Sequence, residues 1–256
     1  MDKGVGIAGI AGRMGRLLIE EVANAGARLV GGIDRPGMAV EGVTLFPDIA
    51  ALAAAADVVL DFTHASAAAG HARAIGAAGT AWVLGTSGLA AADEAAVRQA
   101  AEQAAVVYAP NFSAGVNLVL ALAERMAAAL PAGQYDAEIV EMHHRQKVDA
   151  PSGTAIGLGR AVAKGRGVAL EAVKESGRDG ATGARRTGAI GFAALRGGQV
   201  VGEHTLLFAA AAEHIAITHR AFDRRAFASG AVRAALWAQG RPAGLYSMMD
   251  VLGLRL

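Results

Sequence analysis

Two histidines and a lysine near the middle of the chain combine the capacity for proton transfer with positive charge. His143 and His144 can each carry a proton near neutral pH, and Lys147 adds a full positive charge shortly after them. Such groups suit a reaction in which a negatively charged substrate must be protonated.

The residues that follow favour the start of a helix. Ser152, Gly153 and Thr154 come directly after Pro151 and precede apolar residues with helical spacing. They would present free backbone N–H groups and two hydroxyls to an anion. The sequence therefore predicts an anion site beside the histidines and the lysine, typical of an enzyme that acts on a carboxylate.

Two other interpretations of this segment remain open on the residues alone. Adjacent histidines on an exposed strand are often only polar surface, and Pro-Ser-Gly-Thr can be a simple helix start. A metal site would draw on His204, His214 or His219. We expect no metal, because successive strand side chains point to opposite faces and His143 and His144 should not bind one ion. The chain also has no HxxxH or HExxH spacing.

A glycine-rich turn near the start of the chain indicates a nucleotide site. Its glycines follow the spacing GxxGxxG, a variant of GxGxxG, between a predicted strand and a predicted helix. Glycine lets the backbone approach a pyrophosphate, and the helix N-terminus attracts its charge. The residues expected to bind are Gly9, Ile10, Ala11, Gly12, Arg13 and Met14. A tight strand-to-helix turn without a ligand is the alternative.

An acidic and a basic residue follow the second predicted strand. Asp34 stands where a carboxylate can accept hydrogen bonds from the adenosine ribose, whereas Arg35, with Arg13, could meet a 2′-phosphate. This pair predicts that both NADH and NADPH are accepted. Two later turns at the carboxyl ends of strands would complete the nucleotide site; they contain Gly85, Thr86 and Ser87, and Ala109, Pro110, Asn111 and Phe112.

The composition excludes several classes of function. The chain has 256 residues, and its 24 basic residues nearly balance 23 acidic ones, so we expect no nucleic acid and no membrane as partner. The absence of cysteine excludes disulfides, thiolate metal sites and a cysteine nucleophile, and it suits a protein of the cytoplasm. No uncharged apolar run is long enough for a membrane-spanning helix.

Short apolar runs alternate with helical patterns through the first half of the chain. Their nearly continuous apolar character indicates a parallel sheet that helices cover on both faces. The predicted strands cover Val5–Ile10, Arg28–Asp34, Asp57–Phe62, Ala81–Leu84 and Ala105–Tyr108. The predicted helices cover Met14–Asn24, an alanine-rich stretch that ends near Ala78, and Ala90–Ala104.

Beyond Phe112 the pattern favours mainly antiparallel strands. A hairpin turn is predicted at Arg196-Gly197-Gly198-Gln199, because its two glycines suit positive φ angles. The segment Lys174–Gly188 is expected to be a mobile loop. Its arginines either touch substrate or are solvated, and solvation is the commoner case in such a loop. The predicted strands are Tyr135–His144, Ala189–Leu195, Val200–Leu207 and Glu213–His219, and the predicted helices are Gly115–Leu130, Ser152–Lys164 and Arg224–Ala238.

The segment from His143 to Thr154 resembles the signature of the 4-hydroxy-tetrahydrodipicolinate reductase family, also called the dihydrodipicolinate reductase family. Other segments similar to the family occur in the expected order along nearly the whole chain. They are Gly9 to Gly15, Asp61-Phe62-Thr63, Gly85 to Gly88, Ala109 to Asn117, Gly188 to Phe192 and Val201 to Thr205.

The resemblance implies an NADPH- or NADH-dependent reductase of the diaminopimelate route to lysine. Its substrate would be a cyclic dicarboxylate, 4-hydroxy-tetrahydrodipicolinate, which loses water and is reduced to tetrahydrodipicolinate. His143 would be the proton donor or acceptor and Lys147 the second donor. The implied substrate-binding residues are His144, Ser152, Gly153 and Thr154, and the nucleotide would be held by the glycine turn, Asp34, Arg35 and the two later turns.

The expected fold class is α/β. We expect a Rossmann-like, doubly wound nucleotide domain over residues 1–112 and 220–256, and a smaller α+β domain with a mixed, largely antiparallel sheet over residues 113–219. The second domain would bind substrate and form the contacts of an oligomer, and the resemblance implies a homotetramer.

Two residues depart from the family pattern. Ser87 replaces a threonine of the Gly-Thr-Thr-Gly turn but keeps a hydroxyl, and Gln146 stands where a histidine is common. Two competing functions share the glycine turn: another imino- or amino-acid dehydrogenase of the same fold, and a non-catalytic dinucleotide sensor. The first has no reason to carry this histidine–lysine segment, and the second predicts that His143, Lys147 or Thr154 has been lost.

Overall fold

The computed structural model describes residues 4–254, which divide into two compact units. One unit contains the described residues up to Ala114 together with those from Arg224 onwards, and the other runs from Gly115 to Asp223. Residues 1–3 and 255–256 of the expected nucleotide domain lie outside the described part of the chain.

The first unit is built on a six-stranded sheet in which every pairing is parallel. Its strands are β1 (Gly4–Ala8), β2 (Arg28–Ile33), β3 (Val58–Asp61), β4 (Ala81–Leu84), β5 (Ala105–Tyr108) and β11 (Gly244–Tyr246), in the spatial order β11-β5-β4-β3-β1-β2. Its helices are α1 (Arg13–Asn24), α2 (Ile49–Ala55), α3 (Ala65–Ala78), α4 (Ala91–Ala100), α8 (Arg225–Ala238) and α9 (Met248–Leu252).

The central strands are apolar throughout because both of their faces are covered. Along β3, Val58 and Leu60 pack into a core that includes residues of α1 and α8, whereas Val59 between them packs into a second core with α3 and α4. This alternation follows from the two-residue period of a strand. The Rossmann-like α/β arrangement expected from the sequence is confirmed.

The second unit contains a five-stranded sheet and three helices. Its strands are β6 (Asp136–His143), β7 (Lys174–Ser176), β8 (Ile190–Arg196), β9 (Gly202–Ala209) and β10 (His214–Ala221), in the order β10-β9-β6-β8-β7. Its helices are α5 (Ala114–Ala129), α6 (Gly153–Gly165) and α7 (Leu170–Val173). One sheet face packs on α5 and α6 through residues such as Ile139, Leu158 and Leu206.

The predicted hairpin between β8 and β9 is wrong. Strand β6 lies between them, parallel to β8 and antiparallel to β9, so the second sheet is mixed with two pairings of each kind. The connecting turn crosses the end of β6 instead. There the N–H of Gly197 donates to the carbonyl oxygen of His143, and the N–H of His144 donates to that of Val200. Gly198 does have the positive φ that the glycines suggested.

The prediction of solvated arginines in Lys174–Gly188 is wrong for Arg185, whose side chain is 19% exposed, whereas those of Arg178 and Arg186 are 42% and 56% exposed but also pair with glutamates. Arg185 donates to Glu138 and Asp136 of β6, each at 2.8 Å, and to the carbonyl oxygens of Ala137 and Ala189. Arg178 binds both carboxylate oxygens of Glu138. The segment is therefore tied to β6 by ion pairs, and its first residues form the edge strand β7.

Candidate active site

The segments expected to bind a nucleotide all follow strands of the first sheet. The glycine turn comes after β1, Asp34 and Arg35 come after β2, and the two later turns come after β4 and β5. Because the strands are parallel, their carboxyl ends lie at the same edge, and β1 is paired on one side with β2 and on the other with β3. Ligands of open α/β sheets bind at such a reversal of strand order.

The glycine turn has the close packing that requires glycine. Gly9 has φ +81°, and a Cβ on Gly15 would lie 2.2 Å from the carbonyl oxygen of Gly9. Helix α1 therefore begins directly on the turn, capped by the backbone of Gly12. The first N–H groups of such a helix have no partner within the helix and attract an anion.

Asp34 connects the end of β2 to this turn. Its Oδ2 accepts from the N–H of Ala11 at 2.8 Å, and its Oδ1 accepts from the N–H of Arg35 at 2.8 Å. A carboxylate oxygen has a second lone pair, so the fixed Asp34 side chain retains capacity for a ribose hydroxyl.

A cavity of about 860 Å³ in the first unit opens beside these residues. Its lining includes Gly9, Arg13, Asp34 and Arg35, and it continues to the residues after β3: Phe62, Thr63, His64, Ser66 and His71. The cavity offers backbone N–H groups and arginines to the anionic pyrophosphate of an elongated ligand. It offers the Asp34 carboxylate to the hydroxyls of a ribose. The residues present thus fit a pyridine dinucleotide.

The turns after β4 and β5 are held against the same edge. Thr86 Oγ1 donates to the carbonyl oxygen of Thr63 at 3.2 Å, and a Cβ on Gly85 would collide with the Phe62 ring. The Phe62 and Phe112 rings pack with centroids 5.7 Å apart. Asn111 Oδ1 accepts from the N–H of Ser113, which closes the second turn.

In the second unit, helix α6 begins where the sequence predicts. Ser152 caps it: its Oγ accepts from the N–H of Ala155 at 3.2 Å, and the Ser152 side chain is buried. The hydroxyl also lies 3.0 Å from Nε2 of His204. Ser152 is thus the N-cap residue of α6. Gly153 and Thr154 carry the N–H groups of the first turn of this helix.

His143 is the last residue of β6 and is buried, with 8% of the residue exposed. Its Nδ1 lies 2.5 Å from Oε2 of Glu141, so the ring turns Nε2 towards other groups. Burial lowers the pKa of His143; the Glu141 carboxylate opposes this shift, and the charges of Lys147 and Arg196 add to it. The ring is therefore mainly neutral at pH 7.

Glu141 is ionised despite its burial. Burial alone would raise its pKa, but hydrogen bonds from Arg196, His143 and Ser152 hold the pKa below its usual range. Because the carboxylate is ionised, the proton shared with His143 belongs to Nδ1, and Nε2 carries the lone pair of the neutral ring.

Lys147 lies on the loop between β6 and α6. Its Nζ is 2.8 Å from Oδ1 of Asp149, and this hydrogen bond lowers the pKa of Asp149. His144 comes one residue after the end of β6, and its buried Nδ1 has no hydrogen-bond partner among residues 4–254. The structure thus brings the histidine pair, the lysine loop and the start of α6 into one unit.

Three side chains around His143 were absent from the sequence-based site. Glu141 was recoverable, because residues two apart on a strand share a face. Arg196 and His204 lie on β8 and β9 and reach the site only through the order of the second sheet. Within residues 4–254, no cluster of three or more histidines, aspartates or glutamates could hold a metal ion, and no helix is long and apolar enough to cross a membrane.

Two protein-family models match the chain. Residues 3–112 match the model described as dihydrodipicolinate reductase, N-terminus, and residues 115–252 match that described as dihydrodipicolinate reductase, C-terminus.

Curated relatives and a solved structure agree with these matches. The chain is 70% identical to 4-hydroxy-tetrahydrodipicolinate reductase of Granulibacter bethesdensis, covering 98% of this chain and 97% of the relative. It is 60% identical to the protein of the same name from Acidiphilium cryptum, covering 99% and 98%. The structure of dipicolinate-bound dihydrodipicolinate reductase from Paenisporosarcina sp. TG-14 superposes with a TM-score of 0.81 at 26% identity, covering 98% and 99%.

Proposed function

The chain belongs to the dihydrodipicolinate reductase family, and we propose on this basis that it reduces 4-hydroxy-tetrahydrodipicolinate, after loss of water, to tetrahydrodipicolinate with NADPH or NADH. The observation that carries the proposal is the 70% identity to a curated reductase of that name across 98% of the chain. The reaction belongs to the diaminopimelate route to lysine.

The substrate site that we propose lies around the start of α6. A cyclic dicarboxylate needs anion-binding groups for its carboxylates, and these are offered by the first-turn N–H groups of Gly153 and Thr154 and by the ammonium of Lys147. Ser152 maintains the helix start, and His144 offers its ring. The Paenisporosarcina relative is a dipicolinate-bound protein, which supports a ligand of this shape.

His143 is the proposed acid–base residue. Loss of water removes a proton from the ring carbon beside the hydroxyl-bearing carbon, and the same carbon must regain a proton after hydride has been added. The neutral His143 ring can take the first proton on Nε2, as an imidazolium beside the Glu141 carboxylate, and pass it to the departing hydroxyl, which leaves as water. A proton taken up from solvent restores the imidazolium, which can then protonate the same carbon after hydride has been added. Lys147 donates to the imine nitrogen and its neighbouring carboxylate, where negative charge develops.

Nucleotide binding is assigned to the first unit. The proposed contacts are those expected from the sequence: the glycine turn for the pyrophosphate, Asp34 and Arg35 for the adenosine end, and Gly85–Ser87 and Ala109–Phe112 for the remainder. The bound nucleotide supplies the hydride. Asp34 beside Arg35 supports the use of both NADH and NADPH, because the carboxylate suits ribose hydroxyls and the guanidinium suits a 2′-phosphate.

We further propose a homotetramer that works in the cytoplasm, with residues 113–219 as the domain for substrate and subunit contacts. Val140 of β6 and Leu195 of β8 support the assembly. Both lie on the sheet face opposite the α5 and α6 core, and they are 38% and 50% exposed. Exposed apolar side chains on a sheet face favour burial against another copy. Light scattering that gives a clean monomer at micromolar concentration would contradict this assembly.

A coupled assay tests the reaction. Dihydrodipicolinate synthase generates the substrate in place, and oxidation of NADPH and NADH is followed for the wild type, His143→Ala, Lys147→Ala and the control His214→Ala, whose side chain is exposed on β10. We expect turnover to fall at least about 100-fold in the first two variants and to be unchanged in the control. Tight nucleotide binding by the wild type without substrate-dependent oxidation would overturn the proposal and favour a dinucleotide sensor.

A further inference from the structure

One buried carboxylate in the second unit receives hydrogen bonds from three separate segments of the chain. Glu141 is 1% exposed. Its Oε2 faces Nδ1 of His143 at 2.5 Å and Nη1 of Arg196 at 2.8 Å. Its Oε1 accepts from Nη2 of Arg196 at 2.8 Å and from the N–H of Ser152 at 3.1 Å. Both oxygens are thus shared between the bidentate arginine and a second donor.

Arg196 extends this connection to the loop that carries the lysine. Its Nη2 also donates to the carbonyl oxygen of Asp149 at 2.6 Å, and the carboxylate of Asp149 pairs with Lys147. A single ion pair therefore contacts the His143 ring, the loop with Lys147 and the residue that caps α6. These are the three parts that the proposed reaction needs in fixed relative positions.

We propose that the Glu141–Arg196 ion pair is the positioning device of the substrate site, which sets the His143 ring against the start of α6 and the Lys147 loop. The inference rests on the proposed function, because it assigns a role to residues that act through His143. Neither Glu141 nor Arg196 is a catalytic residue in this scheme.

The arrangement goes beyond what fold stability requires. An ion pair with a buried carboxylate gains little over an apolar pair of similar size, because the Glu141 charge must leave water entirely and the Arg196 charge, on a side chain that is 21% exposed, must leave it in part. Here every remaining hydrogen-bonding position of the Glu141 carboxylate is used by a group of the site. Arg196 also neutralises Glu141, so the His143 ring gains a fixed hydrogen-bond partner without being forced into the imidazolium form.

The two members of the pair should act on His143 in opposite directions. The charged groups that face its ring are Glu141 from β6, Arg196 from β8 and Lys147 from the following loop, and the buried ring of His204 packs on it from β9. Removal of the Glu141 charge leaves two cations beside His143, which lowers its pKa. Removal of the Arg196 charge leaves the carboxylate less neutralised, which raises the pKa.

The experiment compares Glu141→Gln and Arg196→Gln with the wild type and with Glu138→Gln. Glu138 is the matched control, because it is another β6 glutamate bound to arginines but contacts Arg178 and Arg185 on the other sheet face. The readouts are the titration of the His143 ring by NMR and the pH profile of kcat/KM in the coupled assay. Circular dichroism establishes that each variant is folded.

We expect the His143 titration and the acidic limb of kcat/KM to move to lower pH in Glu141→Gln and to higher pH in Arg196→Gln. In both, kcat should fall about 10- to 100-fold while KM for the nucleotide is unchanged. Glu138→Gln should leave the His143 titration, the acidic limb of kcat/KM and kcat as in the wild type. Folded variants with unshifted titrations, or with shifts in the same direction, would overturn the proposal.

A conservative variant keeps the test decisive if Arg196→Gln does not fold. Arg196→Lys retains the charge but loses the bidentate geometry, so the titration should stay near that of the wild type while kcat falls. If kcat is unchanged in folded Arg196→Lys, positioning by the pair is refuted. The NMR titration of His143 does not depend on turnover. If the proposed reaction is wrong, the wild type will be inactive in the assay, but the His143 pKa will still shift in opposite directions in Glu141→Gln and Arg196→Gln.

Discussion

Nε2 of His204 lies 3.0 Å from Oγ of Ser152, the residue that caps α6. The two residues are distant in sequence and meet because β9 lies beside β6 in the second sheet. His204 is 5% exposed, and its Nδ1 has no hydrogen-bond partner among the described residues. Burial, with the nearby charge of His143 acting in the same direction, lowers the pKa of His204 to about 4.

This buried ring should make the protein less stable in mild acid. The unfolded chain protonates His204 below its ordinary pKa near 6.5, whereas the folded chain resists protonation until about pH 4. The stabilising contribution is therefore complete above pH 6.5 and is lost as the pH falls towards 4. The loss amounts to about 2 kcal/mol at pH 5 and about 3 kcal/mol once complete.

Urea unfolding at pH 7 and pH 5 measures this contribution. His204→Gln should show a smaller drop in the free energy of unfolding between the two pH values than the wild type. His214→Gln, which removes an exposed histidine of β10, should retain the wild-type drop. Equal drops in all three proteins would show that His204 protonates as readily in the folded state as in the unfolded state.

A second prediction concerns the fully buried Asp61 at the end of β3. Nδ1 of His71 lies 2.7 Å from its Oδ2, while the N–H and Oγ1 of Thr63 donate to its Oδ1. His71→Leu removes the main partner of a buried carboxylate and should cost about 3 kcal/mol of stability. It should also weaken nucleotide binding, because His71 and Thr63 line the cavity.

A double-mutant cycle isolates this hydrogen-bonded pair. Asp61→Asn keeps the shape of the side chain without its charge, so His71→Leu should cost clearly less in that background. The measurements are chemical unfolding and titration with NADPH. The same cost in both backgrounds would mean that His71 acts by packing alone.

The parts of the molecule that were predictable from sequence follow from local rules. A strand buried on both faces, such as β3 or β4, must be apolar throughout, and the turn after it is short. The glycine turn, Asp34 and the two later turns could therefore be assigned to one sheet edge. The start of α6 was predictable because Ser152 is a common N-cap residue.

The features that could not be predicted from the sequence depend on which strands are neighbours in the second sheet. The Gly197-Gly198 turn has hairpin chemistry, yet it passes across β6, because pairing order is decided by packing of the whole sheet rather than by the turn. The same order brings Arg196 and His204 beside His143. The burial of Arg185 was not predicted, since its partners, Glu138 and Asp136, are distant in sequence.

A third prediction concerns the space beside His143. A Cβ on Gly202 would lie 3.0 Å from Nε2 and 3.4 Å from Cδ2 of the His143 ring. Gly202→Ala should displace the ring and lower kcat about tenfold or more, since small misplacements of a reacting group are costly. The stability should change by no more than about 1 kcal/mol, because the only tight contact is to the His143 side chain and that to His204, at 3.6 Å, is ordinary packing.

The matched control for this substitution is Gly133→Ala. Gly133 lies in the same unit, and a Cβ there would meet nothing within 4 Å. The coupled assay and thermal unfolding are measured for both variants. Unchanged kcat in Gly202→Ala would mean that the ring can shift without cost, which would argue against Nε2 as the reacting atom.

The last prediction separates the two nucleotides. Arg35 lines the cavity beside Asp34, and a guanidinium that binds a 2′-phosphate contributes about 1.5–3 kcal/mol. Arg35→Ala should therefore raise the Kd for NADPH by roughly 10- to 100-fold and change the Kd for NADH little. Arg98→Ala, on α4 and paired with Glu94, is the control and should alter neither. An equal loss of affinity for both nucleotides would show that Arg35 supports the turn itself, since its N–H binds Asp34, rather than the phosphate that distinguishes NADPH.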